Sequence, residues 1–416
     1  MRALSVIALS GLAVGCTEDS VDVSCGRGTH LEGDRCVANI DTDTDSDTNT
    51  GTLVERRVIG YFVEWGVYDR NYRVADIPAA QLTHVNYAFA TITDGECAVY
   101  DPWAALELRG GNFAQLVEIK AAYPHLKTLI SVGGWTLSAD FPEVAATAAG
   151  RGRFATSCVD FMLEYGFDGI DIDWEYPVTG GLTEGAAADT ENFTLLLRAV
   201  RSELDSRAPA SLLTIAAPAG SDKVDNLEPA GIAAEVDWIN LMTYDFYGGW
   251  EPTTNLHNAL YMPDGSTAVH AETYNVDASV QRWLDEGVSA DQLVVGVPLY
   301  GRGWGGVGST DGGLFQAGRA TSEGTWEAGM FDYDDLVENY IGDTRYTRRL
   351  HPSARVPTLY SEETGLFISY EDPESLGEKL DLIDALGLGG VMTWELDGDS
   401  VEHEMVAVMA ERLIGP

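Results

Sequence analysis

The chain has 416 residues with 66 acidic and 25 basic side chains, a formal net charge of −41. Such a surface repels polyanions, which excludes DNA, RNA and anionic bilayers as its partners and leaves a neutral or cationic substrate. The length suits one large α/β domain, and ten Trp, 18 Tyr and 12 Phe supply flat rings for a ligand as well as for a core.

Residues 1–15 carry one basic residue, Arg2, and then an apolar run too short to span a bilayer, which reads as an export signal. The approach Leu12-Ala13-Val14-Gly15-Cys16 resembles a bacterial lipobox. Cys16 is therefore expected to be acylated, as the one membrane contact, with ordinary secretion as the alternative. Within residues 16–56, Cys25 and Cys36 are expected to close a small loop in an oxidising compartment. Residues 41–50 alternate Asp with Thr, Ser and Asn, an acidic low-complexity tract that reads as a tether. Ser46 and Thr52 stand where a calcium-binding EF-hand needs Gly and Glu. Nothing else has metal-ligand spacing, so no metal or cofactor is expected.

From residue 57 to 416 the texture changes to eight apolar, β-rich runs: 58–65, 82–90, 126–135, 167–175, 212–219, 236–244, 293–300 and 390–394. Helical patterns lie between several of them, at 113–123, 153–165, 192–207 and 276–286. Eight such runs alternating with helices predict a parallel sheet buried on both faces, closing as a (β/α)8 TIM barrel. An open doubly wound sheet would want a Gly-rich phosphate turn after the first run, which residues 63–68 do not supply. Residues 305–370 are too long for a plain loop and predict a small α+β insertion after strand seven, forming one wall of a groove. Cys158 lies on the stripe Phe154, Cys158, Phe161, Met162, Tyr165, which suits a buried thiol about as well as a disulfide to Cys97.

The fourth run sets Asp171, Asp173 and Glu175 at every second residue between Ile170, Ile172 and Trp174. As a strand it puts three carboxylates on one face and the apolar groups on the other. Holding carboxylates together is costly, and such clusters usually persist because chemistry needs them. In a barrel the strand ends build the active site at the C-terminal rim. Strand three ends in Ser131-Val132-Gly133-Gly134-Trp135, strand six in Met242-Thr243-Tyr244-Asp245, and strand eight in Met392-Thr393-Trp394. The rim thus offers acids, a phenol and indole rings, the equipment of glycoside hydrolysis. Glu175, last in the row and nearest the rim, is the best proton donor. Asp173 points the same way and is close enough to couple to it. Asp168 has the wrong parity to face the lumen and is expected to be structural.

The segment Asp168-Gly169-Ile170-Asp171-Ile172-Asp173-Trp174-Glu175 resembles the D-G-x-D-x-D-x-E signature of glycoside hydrolase family 18, the chitinases and their relatives. Residues 60–65, 83–90, 131–135, 242–245 and 296–302 each resemble a family segment at the expected strand, and the insertion resembles the subdomain of one branch. The resemblance implies that Glu175 is the general acid and then the base, that Asp173 turns between Glu175 and the substrate N-acetyl group, and that Asp171 supports it. Tyr244 would hydrogen-bond the acetamido carbonyl, which attacks the anomeric carbon itself, and Trp394 would floor the reacting subsite. Tyr61, Phe89, Gly134, Trp135, Met242, Asp245, Tyr300 and Arg302 match positions lining the cleft, and Trp250 would be a platform on the leaving-group side. Tyr247 stands where many relatives carry His, which puts subsite detail in question.

The implied activity is retaining hydrolysis of β-1,4-linked N-acetylglucosamine polymers such as chitin by an exported monomer. The alternatives are a non-catalytic chitin-binding lectin, against which the presence of Glu175 speaks, and an endo-β-N-acetylglucosaminidase acting on N-glycan or cell-wall glycans.

Overall fold

The computed structural model describes residues 56–415 together with the backbone of a separate antiparallel hairpin, Thr29–Glu32 and Arg35–Ala38. The expected leader, the expected lipid attachment at Cys16, the expected pairing of Cys25 with Cys36 and the acidic tract lie outside the described residues.

The eight runs form β1 (Arg57–Val63), β2 (His84–Thr93), β3 (Lys127–Gly133), β4 (Gly169–Asp173), β5 (Leu212–Pro218), β6 (Trp238–Met242), β7 (Leu293–Pro298) and β8 (Gly390–Trp394). Sequential strands pair in parallel, and β1 pairs both with β2, Ile59 opposite His84, and with β8, Arg57 opposite Gly390. The sheet is therefore a closed (β/α)8 barrel. Alternation divides its side chains between two layers. Val58, Phe62, Ile130, Ile170, Ile172 and Ile239 face the helices, while Ile59, Tyr61, Leu129, Trp238, Val294 and Met392 fill the lumen.

Helices α1 (Asn112–Ala122), α2 (Ala148–Tyr165), α3 (Asp189–Arg207), α4 (Val276–Asp285), α5 (Pro373–Leu386) and α6 (Glu404–Leu413) lie among the connections. α2 starts earlier than its apolar period suggests because Thr147 caps it, accepting a hydrogen bond from the Gly150 amide at 3.0 Å. Cys158 on this helix forms a disulfide with Cys97, on a strand (Glu96–Val99) that folds back on the far end of β2. Of the two readings of that cysteine, the disulfide is the one observed. No helix of the described residues is long and apolar enough to cross a membrane.

The seventh run divides in two. β7 stops at Pro298, and Tyr300–Gly305 turns out of the barrel into an antiparallel sheet. Leu299 is the pivot: its amide donates to the Trp394 carbonyl at 2.8 Å, and its carbonyl accepts from the Tyr333 amide at 2.9 Å. Tyr300 and Arg302 thus belong to the insertion, although they stand at the barrel rim. The inserted sheet orders Arg319–Ala320, Tyr300–Gly305, Leu366–Ser369, Pro357–Ser361 and Thr347–Leu350, with Met330–Asp332 also pairing to Tyr300–Gly305. One apolar cluster, Phe331, Leu336, Leu359, Leu366 and Ile368, is its own core. A second, Trp304, Tyr360 and Phe367, packs on Phe246 and Tyr247 beyond β6 and so ties the insertion to the rim.

Candidate active site

β4 carries Asp171 and Asp173 on its lumen side, both buried, with Glu175 partly exposed just beyond the strand end. Asp171 is the deepest, and four donors from four strands converge on it. The hydroxyls of Tyr61 and Ser131 donate to Oδ2 at 2.8 and 2.7 Å. Thr214 and the Asn240 amide donate to Oδ1 at 2.5 and 3.3 Å. Burial raises its pKa, and these four bonds oppose the rise.

Asp173 is treated differently by its surroundings. Its Oδ1 is buried with no hydrogen-bond partner among the described residues. Burial, then the charges of Glu175 and Asp171, push its pKa far above the usual carboxylate range, which favours its protonated form. Glu175 is pushed up to about 7, by burial first, against a hydrogen bond from Tyr176 and with the Asp245 charge adding to the rise. The turn that aims Glu175 is held by Ser138, which accepts from the Glu175 amide at 2.9 Å and lies 3.2 Å from the Asp173 carbonyl. The Gly134 amide donates to that same carbonyl at 2.8 Å. Gly133 and Gly134 both sit at positive φ, 111° and 85°, and side chains there would meet the Asp173 backbone and the Phe89 ring.

Tyr244 follows β6 and is partly exposed. Burial and the charges of Asp173 and Glu175 raise its pKa strongly, so its phenol stays a donor. Its hydroxyl has only a weak contact with the Met392 sulfur, at 3.8 Å. Asp245 adopts φ 56° and grips Arg302 through both oxygens, at 2.7 and 2.6 Å. Burial alone would raise the Asp245 pKa, but the charge of Arg302 and its hydrogen bonds hold it well below the usual range. The Arg302 guanidinium lies 5.3 Å from the Trp250 ring centre and 5.0 Å from that of Tyr300.

Trp394, at the end of β8, is stacked on Phe89 with ring centres 5.8 Å apart and also touches Tyr61 and Trp65. Trp135 and Trp250 are the open rings, 47% and 59% exposed, and Met242 is partly exposed at the end of β6. Tyr61 and Tyr300 are buried beneath the cleft surface instead of lining it, the first on Asp171 and the second against Tyr244 and His257. Asp168 lies outside this group. It accepts from the Thr128 amide at 2.9 Å and pairs with Lys120 of α1 at 2.7 Å, fixing the start of β4.

Residues 57–399 match the family described as Glycosyl hydrolases family 18. The chain belongs to this family. It is 44% identical over 395 residues to Chitinase A1 of Niallia circulans, covering 82% of this chain and 56% of that protein. It is 35% identical over 390 residues to Endochitinase 1 of Metarhizium robertsii, covering 86% of this chain and 85% of that one. Among solved structures it is similar to Chitinase ChiA74 from Bacillus thuringiensis, with a TM-score of 0.83 and 38% identity over 87% of this chain and 70% of that one.

In this family 18 chain several site residues escape a motif search. Thr214 and Asn240 are polar groups at lumen positions of otherwise apolar strands, and that parity was a usable signal. Ser138, Tyr176 and His257 lie in loops, where no period marks them.

Proposed function

We propose that this chain is a chitinase that cleaves β-1,4-linked N-acetylglucosamine chains with retention, using the substrate acetamido group as nucleophile. One observation carries the reading: at one rim a buried Asp173 whose pKa is driven up by burial and its acidic neighbours meets Glu175, poised near neutrality, and the Tyr244 phenol. Glu175 gives its proton to the glycosidic oxygen as that bond breaks. The acetamido carbonyl, held by the Tyr244 hydroxyl, attacks the anomeric carbon and forms an oxazolinium ion. Asp173 has an unbonded oxygen for the acetamido N–H and a proton for the carboxylate that Glu175 becomes. Glu175 then takes a proton from water, which opens the ring ion with net retention. This route is a known exception to the two-carboxylate scheme, so a second attacking carboxylate is not required. Trp394 provides the floor, and Trp135 and Trp250 extend it to either side.

The sheet of the insertion supports a groove for a linear chain, and the Cys97–Cys158 disulfide fits the export expected from the leader. Glu175→Gln keeps the shape and loses the proton donor. Release of chitooligosaccharides should fall by roughly 10²–10⁴-fold or more while polymer binding persists. Turnover at the unmodified rate would remove the proposal, and a wild-type chain that binds chitin without cutting any chitooligosaccharide would identify a lectin.

A further inference from the structure

Behind the Asp245–Arg302 pair lies an imidazole to which the reaction above assigns no task. His257 is fully buried, and among the described residues neither ring nitrogen has a hydrogen-bond partner. Its Nδ1 stands 3.6 Å from Oδ1 of Asp245, just beyond hydrogen-bond reach, and its ring centre is 5.4 Å from that of Tyr300. Buried polar groups are almost always bonded, and an exception needs a cause.

The backbone that presents this ring is held from several sides. The His257 amide donates to Ser369 Oγ at 3.1 Å, and its carbonyl accepts from the Phe246 amide at 3.0 Å. The next side chain, Asn258, donates to Glu371 at 2.6 Å, and Glu371 forms a fully buried ion pair with Lys379 of α5. Two residues on the exit path of the insertion, Ser369 and Glu371, therefore fix the backbone that carries the imidazole. What stands in front of it is less constrained. Asp245 occupies a left-handed backbone conformation and reaches solvent together with Arg302, which lies beside the open ring of Trp250.

We infer that His257 is a positioning residue for the leaving-group side of the cleft, closing a hydrogen bond onto Asp245 when a sugar is seated against Trp250 and Arg302. The inference rests on the glycosidase reading of this site. A shift of about half an ångström brings the two groups into range, and bonds that are long in a free enzyme commonly tighten in its complex. Asp245, Arg302 and Lys379 are the charged groups that face the imidazole. Burial keeps it neutral, against the pull of Asp245, so it acts as an N–H donor and transfers no proton. The insertion thus has a second role besides walling the groove: its return strand sets the firmness of the Asp245–Arg302–Trp250 stack.

The test compares two substrates in the full chain. One is an aryl β-glycoside of N,N′-diacetylchitobiose, whose leaving group is small. The other is tetra-N-acetylchitotetraose, which needs sugars on the leaving-group side. In His257→Leu the kcat/KM on the tetrasaccharide should fall about tenfold relative to the aryl substrate, the loss of one charge-assisted hydrogen bond, and mainly through KM. His257→Asn, which offers an amide donor near the Nδ1 position, should recover most of that ratio. In Glu175→Gln with labelled histidine, penta-N-acetylchitopentaose should move the His257 Nδ1–H resonance downfield. Equal losses on both substrates, indistinguishable Leu and Asn variants, or a resonance that ignores the oligosaccharide would overturn the inference. A wild-type chain inactive on the aryl substrate would instead overturn the enzymatic reading beneath it.

Discussion

Tyr176→Phe probes the electrostatics of the proton donor while leaving its ring in place against Trp135 and Lys223. The Tyr176 hydroxyl stabilises the Glu175 carboxylate and so opposes the burial that lifts Glu175 to about 7. Removing it must therefore raise the Glu175 pKa further. A hydrogen bond to a charged acceptor contributes roughly 1.5–3 kcal/mol. One pKa unit corresponds to about 1.36 kcal/mol, so the limit is about one to two units. Glu175 is partly exposed, and water replaces some of the lost bond, which leaves about one unit. A general acid works in its protonated form, so the alkaline limb of kcat/KM should move up by that amount. At about pH 8 a donor with a pKa near 7 is roughly one-tenth protonated and one near 8 is half protonated, a gain of about fivefold relative to each enzyme's plateau. The measurement is a pH profile of kcat/KM on an aryl chitobioside for both proteins. A limb that stays put, or moves to lower pH, would refute the assignment of that limb to Glu175.

Two further predictions concern stability. Asp171→Ala strands four buried donors and should lower the unfolding free energy by roughly 3–5 kcal/mol in urea titrations; a loss under about 1 kcal/mol would mean that the lumen network relaxes around the gap. The Cys97→Ser, Cys158→Ser double variant opens a loop with a sequence separation of 61 residues, worth about 4 kcal/mol by chain entropy. Its denaturation midpoint should fall accordingly while turnover of a soluble substrate persists, and equal midpoints for the two proteins would show that the crosslink contributes nothing.

The barrel was legible because each buried strand is a short apolar run, and eight such runs with helices between them leave few ways to close a sheet. The acid row was legible for a related reason: period-two spacing alone puts Asp171, Asp173 and Glu175 on one face. What was not legible is who meets them. The donors on Asp171 come from β1, β3, β5 and β6, and only closure of the barrel brings Tyr61, Ser131, Thr214 and Asn240 to one point. Tyr300 shows the limit at a strand end, since an apolar run does not announce that Leu299 pivots the chain out of the barrel. His257 lies further still from local rules, because its neighbours depend on how the return strand of the insertion meets the loop beyond β6.

These partners also decide how a proton can move along the row. Asp171 already accepts four hydrogen bonds, so it has little capacity left to take a proton bond from Asp173. Asp173 has an unbonded buried oxygen and the charges of Glu175 and Asp171 pressing on it, so its proton is held and its natural acceptor lies towards the rim. Glu175 is the member of the row that titrates near neutrality. In the proposed reaction, when Glu175 releases its proton to the leaving oxygen, the new carboxylate faces an Asp173 whose raised pKa favours the acid form over a second anion. The like-charge repulsion that would oppose ionisation at that moment is thereby reduced, and a hydrogen bond from Asp173 can take its place. In that reaction a row of three carboxyl groups therefore serves as an anchor, a proton holder and a donor, set apart by the partners each one meets.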